Sequence, residues 1–247
     1  MRKVNIMPLA GLGKRFLDAG INIPKPLIKI NGLPMVVRAA KNLPAPDLWI
    51  FICQKDHIEN FKIDKVLKYH FPRAIIIDIN YLTEGQAATC LLSKDYLRSE
   101  DQLLIGACDN KMVYDLNMYY ESLNCNDALI WTFRKNVSVL NNPTMYGWVK
   151  VDNKNLATKV SCKVPISDRP FYDHAVSGTF SFKKAKYFIE HTNNIIKMDR
   201  KVKNEYYLDT VLDELIKNNY KVAPFEVEKY FCWGTPEDLS TYKKLYE

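Results

Sequence analysis

Apolar positions along the chain fall into two rhythms. Near-continuous runs of strand length, VNIMPLA (4–10), WIFICQ (49–54), AIIIDIN (74–80) and QLLIGACD (102–109), are separated by helical spacing at Pro34–Leu43, His57–Tyr69 and Glu84–Leu97. Unalternated Ile, Leu and Val belong to strands buried on both faces, so the first half predicts a parallel sheet with helices above and below. The second half changes character. DALIWTFRK (127–135), GWVKVD (147–152), ATKVSCK (157–163) and AVSGTFSF (175–182) follow one another across turns, as antiparallel strands do. Helical patterns return at Lys184–Ile195 and Glu205–Asn218. One last strand, KVAPFEVEKYFCW (221–233), precedes a helix opened by Thr235-Pro236-Glu237, with proline in its first turn. The reading is an α/β fold, a three-layer α/β/α sandwich with a mixed, mostly parallel sheet, in a single domain over residues 1–247.

Composition narrows this little. A chain of 247 residues that is 47% hydrophobic can build one sizeable core. No apolar stretch approaches the ~20 residues that span a bilayer, and glycines interrupt the N-terminal apolar run too early for a signal peptide. The expectation is a cytoplasmic protein without membrane contact. Six cysteines without CxxC spacing argue against a disulfide framework or a zinc site. The formal net charge of +7 favours an anionic ligand. Because the basic residues are spread rather than striped, that ligand is a small phosphorylated molecule and not nucleic acid.

In sheets of this kind ligands bind at the carboxyl ends of the strands. That places LAGLGKRF (9–16), the residues after Asn80, and Cys108-Asp109-Asn110 along one crevice. The first of these is a phosphate loop of neither common kind. A dinucleotide fingerprint would need glycine at Phe16, and a Walker A loop would need a hydroxyl at Arg15. What remains is G-x-G-x-R followed by PKPL (24–27). Taken singly, Arg15 and Lys25 would read as solvated loop cations, and both are expected to face solvent without ligand. Together the two halves resemble the nucleotidyltransferase superfamily that joins an NTP to a phosphorylated acceptor, whose usual opening is L-A-G-G-x-G-[ST]-R, then P-K-P-[LM].

The resemblance implies a Rossmann-like nucleotidyltransferase fold, a nucleotide-binding half (1–112) and an acceptor-binding half (113–247). It implies Arg15 and Lys25 as catalytic cations. Leu9, Ala10, Gly11, Gly13 and Lys14 would form the phosphate loop, and Glu84, Gly85 and Gln86 would read the base. The strand-end Asp109 would hold Mg²⁺ or Mn²⁺; read alone, it could equally cap a turn. The family's later aspartate, in W-x-D-x-G-T-P, aligns with Cys232 of YFCWGTPEDL, and a soft thiol is a poor ligand for Mg²⁺. Glu205, Asp209 and Asp213 are further candidate carboxylates. At the acceptor end, PTMYGWVKVD and KVSCKVPIS match the family's P-x-x-Y-G-x-V and V-x-E-K-P stretches. They place Gly147 and Lys163 beside the acceptor, with Cys162 where sugar enzymes carry glutamate. His174 and Glu205 are further acceptor candidates.

TEGQAAT, DHAVSGTF and CWGTPEDL together are similar to capsule-gene nucleotidyltransferases, among them the cytidylyltransferases that form CDP-L-glutamine from CTP and L-glutamine phosphate for capsular phosphoramidate. The family is often dimeric or tetrameric, which implies a homo-oligomer. Three alternatives stay open: a sugar-1-phosphate nucleotidylyltransferase using UTP, dTTP or GTP, a non-catalytic nucleotide-binding protein, and a glycosyltransferase of related fold.

Overall fold

The first strand, Lys3–Leu9, buries alternate residues in opposite directions: Val4 and Ile6 enter one core, Met7 and Leu9 the other. Both of its neighbours, Leu48–Gln54 and Gln102–Ile105, run parallel to it, and Ile75–Ile79 adds a further parallel strand. Residues 1–246 are described by the structure, a computed structural model. Among them one sheet has nine strands. Seven lie side by side in the order Ala157–Cys162, Gly147–Val151, His174–Phe182, Gln102–Ile105, Lys3–Leu9, Leu48–Gln54 and Ile75–Ile79. Ala128–Phe133 pairs antiparallel with His174–Phe182 and carries Val222–Glu226 in parallel. The first-half strands are thus parallel to one another, and the second half joins them through antiparallel pairings.

Helices cover both faces, because each strand presents apolar residues to both. Met35–Asn42, Ile63–His70, Leu116–Cys125 and Pro236–Tyr246 pack on the face that holds Met7, Phe51 and Trp131. Gln86–Leu91, Ala185–Lys197 and Leu208–Lys217 pack on the face that holds Ile6, Ile50 and Phe180. The three-layer α/β/α expectation describes this arrangement. No helix among the described residues is long and apolar enough to cross a membrane.

Several boundaries differ from the sequence reading. The run 102–109 is a strand only to Ile105. Asn110–Val113 instead forms a separate antiparallel ribbon with Lys229–Cys232, so the last apolar run splits into Val222–Glu226 and Lys229–Cys232 in two different sheets. The expected helix 57–69 is two, Lys55–Phe61 and Ile63–His70, broken where Lys62 turns left-handed at φ 54°. The pattern at Glu84–Leu97 is helical only over Gln86–Leu91, followed by a 3₁₀ turn at Lys94–Tyr96. Leu116–Cys125 is a helix the apolar spacing did not mark, started by the Asp115 side chain accepting from the Met118 N–H at 2.8 Å. The ribbon has the largest consequence for chemistry. It sets Cys232 opposite Asn110, and so beside Asp109.

Candidate active site

Gly13 ends the first loop in the left-handed region, at φ 62°. A Cβ there would lie 3.1 Å from the Lys25 Cβ. Glycine is therefore needed twice, for its backbone angle and for the close approach of the PKPL turn. This contact joins the two halves of the motif. Lys25, at the start of the 3₁₀ turn Lys25–Leu27, then reaches across to Asp109 and donates to its Oδ2. The pair is largely buried, with side-chain exposures of 19% for Lys25 and 28% for Asp109. The expectation that Lys25 faces solvent is thereby corrected: Asp109 holds it inward. Arg15 is exposed, as expected.

Charge is settled by this pairing. Burial works against the Lys25 ammonium, but Asp109 outweighs it and the pKa rises above the ordinary lysine value. Burial likewise opposes the Asp109 carboxylate, yet the charge and hydrogen bond of Lys25, with a further contribution from Arg15, hold it below the ordinary carboxylate range. Asp109 is thus an anion within the field of both motif cations.

Lys25 and Asp109 line a cleft of about 510 Å³ at the carboxyl ends of the central strands. Leu9, Ala10, Gly11, Gly13 and Lys14 form one wall, and Cys108 and Asp109 the floor. Gly85, Gln86, Thr83 and Thr89 line it as well, with Glu205 against Gly85. Gly85 has φ 111°, and a Cβ on it would lie 2.7 Å from the Tyr206 backbone N. Glycine here lets the 84–87 loop zip onto Tyr206, through Tyr206 N–H to Glu84 O at 2.7 Å and Ala87 N–H to Tyr206 O at 2.9 Å. That seam carries Glu205 to the cleft. Buried Gln54, which drew no attention in the sequence, donates from Nε2 to the carbonyls of Ala10 (2.8 Å) and Tyr81 (3.3 Å) and so ties the two walls together. An amide ending a buried strand was the available signal.

Five of the expected residues, Arg15, Glu84, Gly147, Lys163 and His174, lie outside the cleft lining. The Glu84 carboxylate is exposed and pairs with Lys201 at 2.8 Å. His174 is buried, with Nδ1 3.0 Å from the Thr132 hydroxyl, and burial pushes its pKa down. Gly147 faces inward under the sheet: a Cβ on it would collide with Asp209 Oδ1 at 1.8 Å. Lys163 donates to the Met145 carbonyl and sits 5.5 Å over the Tyr207 ring, beside Cys162 and near Asp209. Asp209 is buried, its Oδ1 has no donor, and burial pushes its pKa up to about 6. Asp213 is taken by Arg200 at 3.2 Å and Lys217 at 2.8 Å. The charges that act on Asp109 are those of Lys25 and Arg15.

Cys232 stands nearer. A Cβ on Gly234 would lie 3.3 Å from both Asp109 Oδ2 and Cys232 Sγ, so a side chain there would press on both the oxygen and the sulfur. The thiol donates to Asp238 Oδ2 at 3.3 Å and accepts the Gly234 N–H at 3.3 Å. Burial, with Asp109 and Asp238 adding to it, pushes its pKa up to about 12. Among the described residues no three His, Cys, Asp or Glu side chains gather as a metal cluster. A divalent cation at Asp109 fits as one held by a single carboxylate and completed by phosphates and water, a usual arrangement for Mg²⁺.

No family model matches the chain, and no curated protein matches it in sequence. Solved structures do match in shape. The nucleoside-diphosphate-sugar pyrophosphorylase of Vibrio cholerae RC9 superposes with a TM-score of 0.77 at 17% identity, over 97% of this chain and 99% of that one. The inositol-1-phosphate CTP transferase of T. maritima gives 0.72 at 17%, over 99% and 94%. The UTP-bound UGPase of Acinetobacter baumannii gives 0.72 at 16%, over 100% and 93%. The fold is that of sugar-phosphate nucleotidyltransferases. At such identities the likeness extends to architecture and to the full length of the chain, and the chemistry has to be argued from the cleft.

Proposed function

We propose that the chain is a nucleotidyltransferase that couples an NTP to a small phosphorylated acceptor and releases pyrophosphate. The observation that carries this is the Gly13–Lys25 contact, which places a glycine phosphate loop, Lys25 and Asp109 around one cleft. The acceptor phosphate oxygen attacks the α-phosphorus in line, a P–O bond forms, and the bond to the β-phosphate oxygen breaks. The nucleophile is already anionic, so no general base is needed; positioning and charge neutralisation do the work. Backbone N–H groups of Gly11–Lys14 cradle the phosphates. Arg15 offers a planar fork to the β- and γ-phosphates that leave, and Lys25 turns from Asp109 toward the α-phosphate. Asp109 would hold Mg²⁺ or Mn²⁺, which when bound neutralises charge developing on the phosphates. Gly85 and Gln86 take the base, and Lys163 leaves the Met145 carbonyl for the acceptor phosphate.

For the substrates we propose CTP and L-glutamine phosphate, giving CDP-L-glutamine for capsular phosphoramidate. Cys162 in place of the sugar-binding glutamate supports this, because a thiol cannot take two sugar hydroxyls. A second reading, a sugar-1-phosphate nucleotidylyltransferase using UTP, dTTP or GTP, is favoured by what the structural neighbours are named for. Pyrophosphate release with each NTP against phosphoglutamine, glucose-1-phosphate and inositol-1-phosphate separates them. Turnover of glucose-1-phosphate with UTP, and none with phosphoglutamine, would select the second reading.

A further inference from the structure

We propose that the Asp209 carboxylate receives an ammonium group of the acceptor, which makes the acceptor class a phosphorylated amine or amino acid and not a sugar phosphate. The inference rests on the reading of Lys163 as the cation for the acceptor phosphate. A preference for ammonium can nevertheless be read by binding alone, without nucleotidyl transfer.

Asp209 stands in the first turn of the helix Leu208–Lys217, against Gly147 at the start of the strand Gly147–Val151. It is 7% exposed, and its buried Oδ1 has no hydrogen-bond partner. The approach to Gly147 leaves no room for a side chain there: a Cβ would lie 1.8 Å from Oδ1 and 2.8 Å from Cγ. The neighbourhood reaches the cleft through Glu205, which lines it. The Tyr207 hydroxyl feels the charges of both Glu205 and Asp209, and so does the Cys162 thiol. Lys163 acts on the Asp209 carboxylate as well, but its ammonium donates to the Met145 carbonyl instead of pairing with it.

The fold makes no use of this carboxylate. Asp213, one turn further on, accepts the Val160 N–H at 3.3 Å and pairs with Arg200 and Lys217. Asp209 has no such partners. A first-turn carboxylate ordinarily supports its helix from the surface, whereas burial here outweighs that support and pushes the pKa up to about 6. A buried charge left uncompensated costs stability, and a group held so is a candidate for ligand contact. The surrounding charges select the ligand. Once Lys163 turns to the acceptor phosphate, what remains at this end is carboxylate, from Asp209 and Glu205. A sugar hydroxyl would donate one neutral hydrogen bond and leave the charge unbalanced. An ammonium brings the missing charge and the donors together. In L-glutamine phosphate the phosphate sits on the side-chain amide and the ammonium on Cα, so the two charges can meet Lys163 and Asp209 at once.

Calorimetric titration of the full chain at about pH 8, above the pKa of Asp209, tests this, with and without a non-hydrolysable CTP analogue. Two pairs of probes are used: L-glutamine phosphate against its deaminated analogue, and phosphoethanolamine against ethylene glycol phosphate. The wild type should bind the ammonium-bearing member of at least one pair about 10²-fold more tightly. The pair with the larger preference tells an amino acid from a simple amine. Asp209→Asn keeps the shape of the side chain, and its melting transition checks its fold; there the preference should shrink to about threefold or less. Equal binding within both pairs, or a preference that survives Asp209→Asn, overturns the proposal. Turnover of ammonium-free acceptors alone would also overturn it and leave nucleotidyl transfer standing. An ammonium preference lost in Asp209→Asn, without pyrophosphate release, would uphold the ammonium site and remove the transfer reaction.

Discussion

Asp209→Asn removes one proton-binding group from the core while keeping its shape. In the folded protein the carboxyl group is buried, its Oδ1 lacks a donor, and its pKa stands at about 6 against an ordinary value of 3.8. The native state therefore binds this proton more tightly than the unfolded chain does. Stability contributed at this site is highest below the unfolded value and falls as pH rises toward the folded one. The difference of about two units, at about 1.4 kcal/mol per unit, comes to roughly 3 kcal/mol. Asparagine does not titrate, so the variant should match the wild type near pH 4 and exceed it by up to about 3 kcal/mol above pH 6.5 or so. For a chain of this size that corresponds to roughly 6–12 °C in Tm. Paired urea melts of both proteins from pH 4 to pH 8 measure the gap. A stability difference that is flat across that range, or a less stable variant at pH 8, would refute the burial argument.

Other expectations follow from the same contacts. Gly147→Ala drives a Cβ into Asp209 Oδ1 and should cost about 1–3 kcal/mol; Asp209→Ala in the same chain should restore much of it, as a double-mutant cycle of melts would show. Arg15→Ala and Lys25→Ala should each lower turnover about 10²-fold, read as pyrophosphate release. Arg15→Ala should leave Tm unchanged, whereas Lys25→Ala strands the Asp109 carboxylate and should cost about 1–2 kcal/mol; equal Tm values for the two would contradict the inward position of Lys25. Gly13→Ala, strained by φ 62° and pressed on Lys25, should lose activity in parallel with Lys25→Ala.

The sheet was legible because strands such as Leu48–Gln54 are apolar at almost every position, which only burial on both faces explains. The loop was legible because its glycines and cations sit at fixed spacing near one strand end. What the sequence hid depends on contacts between distant residues. Nothing at Ile105 says that pairing stops there; it stops because Asn110–Val113 finds Lys229–Cys232, more than a hundred residues on. Asp209 and Asp213 look like one acidic helix face, yet one lies under Gly147 and the other on Arg200 and Lys217. His174 stands beside a motif, but its ring is spent on Thr132 in the sheet. Lys25 reads as a loop cation until its partner Asp109, eighty-four residues later, is seen.

The central claim is that the Gly13–Lys25–Asp109 cleft transfers a nucleotidyl group. Its most direct test is pyrophosphate release from the purified protein with CTP and L-glutamine phosphate, with mass detection of the nucleotide product. The account predicts CDP-L-glutamine and pyrophosphate in equal amounts, and a loss of about 10²-fold in Lys25→Ala. No pyrophosphate from any of the four NTPs with any phosphorylated acceptor, or full turnover in the Lys25→Ala protein, would contradict it.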